Sequence, residues 1–331
     1  MSRISRTAAI ASIAILPALA LQACSSSDDD SNGSAGSGDP IKFAAVPAES
    51  SDSLVSDFEN ITKLIEKETG RTVEFQNASD YAAVVEGMRA GQIDVASFGP
   101  FSYVIAKDSG VNLKPAAAGT DEEGEPPAYS SLAYVKSDND DIETLADLKG
   151  KNVCFVDQAS TSGYLVPMKG LMDDGIDMEA DIEQVMAGGH DASILSLVSG
   201  ECDAAFAHNS MVSTLSESGQ INEGDVKSIW ESDPITEDPI AINQDTIDEE
   251  TANKIIEAIR TKANKPALVE EGICDSEEDC VLPEELGWGY VEVEDSDFDS
   301  IRDICERGCP IVCVWGFGLQ VVGESVGVCH G

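Results

Sequence analysis

Short apolar runs alternate with longer amphipathic ones along most of the chain. IKFAAVP (residues 41–47) is compact and apolar, as a buried strand is, and DSLVSDFENITKLIEKETG (52–70) repeats its apolar positions at helical spacing and stops at Gly70. RTVEFQNA, DYAAVVEGMRAGQ and IDVASFG continue the series as strand, helix and strand. This βαβαβ order predicts a parallel, doubly wound sheet. The order restarts after Tyr134: LADLKGKNVCFV, a helix, IEQVMAG, the helix HDASILSLVSG, and the strand CDAAFAH. Two α/β halves with similar endings, AGQIDVASF and SGECDAAF, predict two lobes. The chain crosses between them near SSLAYVKSD and returns near DPIAINQD, after which TANKIIEAIRTKAN completes the first lobe.

The ends change the picture. Arg3 and Arg6 precede an apolar run, Ala8 to Leu21, too short to span a membrane as a mature helix, and LQAC follows. This reads as an export leader over 1–23, with Cys24 as the site of lipidation. The Gly- and Ser-rich stretch from Ser25 to Pro40 has no capacity to form a core and reads as a tether. The first lobe is then expected over 41–132, the second over 133–242, and the return to the first over 243–307. Residues 308–331 hold one acidic residue, Glu324, in a chain otherwise rich in acids, and receive no assignment.

The formal charge is −42, and loss of Arg3 and Arg6 with the leader makes it −44. Such a surface excludes nucleic acid as a partner. Nine cysteines in an exported chain point to disulfides. Cys274 and Cys280 bracket a short acidic loop and are the first expected pair; Cys154 and Cys202 lie in or beside two strands that can be neighbours. Cys305, Cys309, Cys313 and Cys329 have no histidine pattern around them, and no metal or cofactor is expected.

The chemistry concentrates in DQASTSGYLVP (157–167). Ser160, Thr161 and Ser162 stand between a strand and a helix, where hydroxyls and the free N–H groups of a first helical turn can cradle an anion. An ordinary N-cap is the plainer reading of the same residues. With this turn in view, the chain resembles the substrate-binding lipoproteins of ABC transporters for phosphonate, phosphite and phosphate. The matching segments are SDYAAVVEGMRAGQIDVASFGPFSYVIA, LADLKGKNVCFVDQASTSGYLVP, MAGGHDASILSLVSGECDAAFA and SDPITEDPIAIN.

The resemblance implies a type II periplasmic-binding-protein fold, two doubly wound α/β lobes joined by a two-strand hinge and closing on a ligand. It implies a membrane permease and its ATPase as partners, with attachment to the extracytoplasmic face through lipidated Cys24. Ser160, Thr161 and Ser162 fall on the family's oxyanion-binding turn, His190 on its ligand histidine, Tyr129 on its hinge tyrosine, Tyr81 on its first-lobe tyrosine and Asp238 on its pocket aspartate. Three of these have a plainer reading: Tyr81 as a helix-start aromatic, His190 as a cap, Asp238 as a turn residue. Tyr103 reads as structural.

An aspartate beside an oxyanion makes sense where it accepts the proton of P–OH, which selects protonated ligands over sulfate. Aminophosphonate-binding relatives carry a carboxylate shortly after the strand matching CDAAFA; here the stretch is His208-Asn209-Ser210. Phosphite, methylphosphonate or phosphate is therefore expected ahead of an aminoalkylphosphonate. Ser160, His190 and Asp238 are also the residue types of a hydrolase triad, but ASTSG lacks the G-x-S-x-G elbow. A surface lipoprotein without a ligand is the third reading.

Overall fold

The computed structural model describes residues 38–49 and 51–308. The leader, Cys24, most of the tether and the tail beyond Gly308 lie outside the described residues.

A six-stranded sheet forms the first lobe, in the order Gly289–Glu292, Leu113–Thr120, Pro239–Asn243, Val95–Ser97, Ile41–Ala45, Val73–Gln76. Ile41–Ala45 runs parallel to both neighbours, with Phe43 beside Phe75 and Val95. Pro239–Asn243 enters antiparallel between Val95–Ser97 and Leu113–Thr120, so the sheet is mixed. Its central strands are largely apolar on both faces because both are covered. Ile41, Phe43 and Ala45 pack toward the helices Glu59–Thr69 and Glu249–Lys262. Ala44 and Val46 face the helices Tyr81–Arg89 and Pro100–Asp108.

The helix expected over 52–70 is two helices, Ser51–Asp57 and Glu59–Thr69, broken at Phe58. Phe58 leaves helical geometry to bury its ring, 5.3 Å from that of Phe43. Gly70 ends the second helix at φ 69°, a conformation glycine adopts without steric cost. Tyr103 is structural, as the sequence suggests: its hydroxyl donates to Asp295 at 2.8 Å and its ring lies 4.8 Å from Phe298.

The second lobe is a five-stranded sheet in the order Val226–Glu231, Ser131–Lys136, Ala204–His208, Asn152–Phe155, Glu183–Met186. Cys154 and Cys202 form a disulfide beside its centre, and Cys274 and Cys280 form another in the first lobe. Two short strands, Ala128–Tyr129 and Ile235–Thr236, pair antiparallel and join the lobes.

This pair corrects the expected boundaries of 133 and 242. The second sheet begins at Ser131 and ends at Glu231, while Pro239–Asn243 already belongs to the first. PIAIN is apolar at nearly every position and would suit a buried strand of either sheet, so its side of the hinge is set by pairing rather than by pattern.

Candidate functional site

Strand Asn152–Phe155 leads into the hydroxyl turn. Ser160 caps it, its Oγ accepting from the Gly163 N–H at 3.1 Å. The expected α-helical start is a wider π-helical turn, Thr161–Leu165, in which Leu165 N–H reaches back to the Ser160 carbonyl. Such turns recur at functional sites because the widened ring re-aims side chains. Ser160, Thr161 and Ser162 are each 1% exposed. A regular α-helix, Val166–Asp173, follows.

Across the cleft, the first lobe meets this turn directly. The Phe101 N–H, in the first turn of helix Pro100–Asp108, donates to Thr161 Oγ1 at 2.8 Å. Gly99 lies beside the same hydroxyl; a Cβ there would stand 3.4 Å from Thr161 Oγ1 and 3.9 Å from Asp238 Oδ2. His190 opens helix His190–Ser199, and its backbone N–H donates to the Ala48 carbonyl at 2.8 Å.

The His190 tautomer is set by its neighbours. Nδ1 accepts from the His208 backbone N–H at 3.2 Å, so the ring proton belongs on Nε2, 3.5 Å from Ser160 Oγ. Burial, then the adjacent His208, depress its pKa and keep the ring neutral. Tyr81, following the Asp80 cap, brings its hydroxyl to Ser160. Tyr129, on the hinge, reaches Ser162 and Asp238. Burial, then Asp238, push both phenols far up, so both remain donors.

All seven residues singled out in the sequence (Ser160, Thr161, Ser162, His190, Tyr81, Tyr129 and Asp238) line one small pocket between the lobes. Among the described residues, no lysine or arginine lines it. Two further polar side chains do, His208 and Glu284, beside Ala48 and Gly99. His208 stands at the carboxyl end of strand Ala204–His208, the end at which α/β sheets place ligands, which is the signal that could have found it. Glu284 has no such signal.

Glu284 is half-buried as a residue, but its carboxyl lies inside the pocket wall within hydrogen-bonding reach of Asp238 and Glu237. Burial pushes Glu284 up to about 7. Burial, then Glu284 and Glu237, raise Asp238 far above the ordinary carboxylate range. Three carboxyls in contact hold protons that isolated ones release. His208-Asn209-Ser210 bring no carboxylate, but Glu284, which sequence reasoning did not single out, brings one from another direction.

The triad reading finds no support in this geometry. A hydrolase needs an acid behind the imidazole. Here a backbone N–H occupies His190 Nδ1, and Asp238 is engaged with Tyr129 and Glu284.

Two α/β lobes, a two-strand hinge and a pocket of converging neutral donors define a type II periplasmic binding protein. The chain belongs to the family described as ABC transporter, phosphonate, periplasmic substrate-binding protein, which matches residues 43–297. It is a substrate-binding protein of an ABC transporter and not an enzyme. It is 41% identical over 306 residues to the phosphate-import protein PhnD of Mycolicibacterium smegmatis, covering 90% of this chain and 95% of that one. The phosphonates-binding periplasmic protein of Escherichia coli is 29% identical over 252 residues, 75% of this chain and 70% of that one. Among solved structures, the binding protein component of a Pseudomonas aeruginosa ABC phosphonate transporter superposes with a TM-score of 0.69 at 23% identity, over 86% of this chain and 92% of that one. PhnD1 of Prochlorococcus marinus in complex with methylphosphonate gives 0.68 at 19% identity, over 81% and 97%. Both establish the shared fold.

Proposed function

We propose that this protein is the extracytoplasmic receptor of an ABC importer for a small phosphorus oxyanion: phosphate, phosphite or methylphosphonate. The observation that carries the reading is the convergence of the Ser160–Ser162 turn, His190 Nε2–H and the Tyr81 and Tyr129 hydroxyls on one pocket. Short neutral donors and a helix N-terminus suit an oxyanion held reversibly. Asp238, Glu237 and Glu284 share protons among themselves, and the carboxyl oxygens left without one accept from a ligand P–OH. Sulfate at neutral pH has no proton to share. Lipidation at Cys24 and delivery to a membrane permease complete the proposal; both rest on the leader, LQAC and the family.

Glu284 favours one second reading. A carboxylate pair can hold an ammonium group, so an aminoalkylphosphonate is the alternative ligand. Titration calorimetry with phosphate, phosphite, methylphosphonate, 2-aminoethylphosphonate and sulfate decides between them. At least one phosphorus anion is expected to bind below about 100 μM, roughly −5.5 kcal/mol. If none does, the reading fails. Tightest binding by 2-aminoethylphosphonate selects the alternative. Asp238→Asn is expected to weaken phosphorus-anion binding by about 1.5 kcal/mol or more and to relax the rejection of sulfate.

A further inference from the structure

Among the described residues, one buried side-chain polar atom has no hydrogen-bond partner: Nε2 of His208. Buried polar atoms are almost always paired, so an unpaired one in a pocket wall calls for a partner that comes and goes. His208 is 4% exposed and lines the pocket already described. The rest of the residue is fixed. Its backbone N–H is given to His190 Nδ1, its own Nδ1 lies 2.8 Å from Ser210 Oγ, and its ring meets that of His190 edge to face at 4.6 Å. Glu49 Oε1 stands 4.0 Å from Nε2, beyond hydrogen-bond range. Burial lowers the His208 pKa to about 4, so at neutral pH the imidazole carries no charge.

Position limits what Nε2 can touch. His190 Nε2 is 3.5 Å from Ser160 Oγ, whereas His208 Nε2 lines the same pocket as the turn without a hydrogen bond to it. A ligand oxygen seated among Ser160, Thr161 and Ser162 finds its donors in the turn, so Nε2 is left for a further oxygen of the ligand. We infer that His208 is a specificity-determining contact whose Nε2 hydrogen-bonds a fourth oxygen on phosphorus, so that the pocket prefers phosphate to methylphosphonate and phosphite. The inference rests on the phosphorus-oxyanion reading above. A methyl group or a hydrogen in that place leaves Nε2 buried and unpaired, the situation in which a polar site discriminates most strongly. The Ser210 hydroxyl can donate to or accept from Nδ1. Either tautomer is thereby open, and Nε2 can donate to P–O⁻ or accept from P–OH.

The test titrates wild type, His208→Phe and His208→Gln with phosphate and methylphosphonate. Wild type is expected to favour phosphate by about tenfold or more. His208→Phe keeps a ring against His190 and should lose about tenfold in phosphate affinity while methylphosphonate changes by less than about threefold. His208→Gln, which restores a polar head, should regain part of the preference. In the unmodified protein, the ¹⁵N shift of His208 Nε2 should move on adding phosphate and stay put with methylphosphonate, a readout independent of how the variants fold. Equal losses for both ligands would mean that His208 merely supports His190 and would overturn the inference. So would a wild type that binds both ligands equally, which leaves the broader reading standing. A wild type that binds no phosphorus anion removes both.

Discussion

Glu284 holds a left-handed backbone conformation, φ 54° and ψ 26°, the one non-glycine residue with positive φ among those described. Such strain persists where surrounding structure imposes it, and it concentrates at functional positions. Here it turns a carboxyl inward toward Asp238 and Glu237. The consequence is a pH dependence with a definite sign. A carboxyl whose pKa is raised on folding binds its proton more tightly in the native state, so its contribution is intact below about 4.5 and is lost as pH rises through about 7. His190 and His208 act oppositely, because their depressed values cost stability as pH falls below about 6.5. Comparing wild type with Glu284→Gln isolates the carboxyl. Chemical denaturation should show wild type losing up to about 3 kcal/mol relative to the variant between pH 5 and pH 8. Parallel pH profiles would dissociate Glu284 from the cluster. Nothing in LPEELG announces this residue; it is one acid among 62 aspartates and glutamates, on a short turn without periodicity.

The hydroxyl turn was legible because its element is local: strand, three hydroxyls, glycine, helix. Its width was not, since a π-helical ring and an α-helical one draw on the same residue types. Packing dictates the outcome at Gly163. A Cβ there would collide with Val156 and come within 2.8 Å of Ser160 Oγ, while Gly163 C=O already accepts from the Val156 N–H. Gly163→Ala should therefore cost about 1–3 kcal/mol in thermal or denaturant unfolding. It should also weaken anion binding by displacing Ser160, and adding Val156→Ala should recover much of the stability. Full stability of the single variant would contradict the close approach. The strands 41–45, 95–97 and 204–208 were readable from apolar runs bounded by glycine and acids. The break at Phe58 and the allegiance of Pro239–Asn243 were not, because both depend on partners distant in sequence.

At the scale of the molecule, a receptor for anions carries a formal charge of −42. Many of its few cations are already engaged at the surface: Arg302 with Asp108, Asp295 and Asp299, Arg260 with Glu292 and Glu294, Lys262 with Glu68 and Glu271. The outer field opposes an approaching anion, while the pocket attracts it only at contact distance. With a Debye length near 10 Å at 0.1 M salt, screening relieves the outer repulsion and leaves the buried contacts largely untouched. Stopped-flow association should accelerate between about 10 and 500 mM salt, with dissociation little changed. A rate that falls steadily with salt would require an attractive approach path and would sink the argument. The hinge carries a mechanical corollary. Ala128–Tyr129 and Ile235–Thr236 are two residues each, and the pocket residues Tyr129 and Asp238 lie on them or two residues away. A load placed at a fulcrum travels little when the arms swing. For lobes rotating about this pair, the rims sweep a wide arc while the pocket scarcely widens. A transporter that gauges the rims would thus read, amplified by leverage, whether a few ångströms at the pivot are filled.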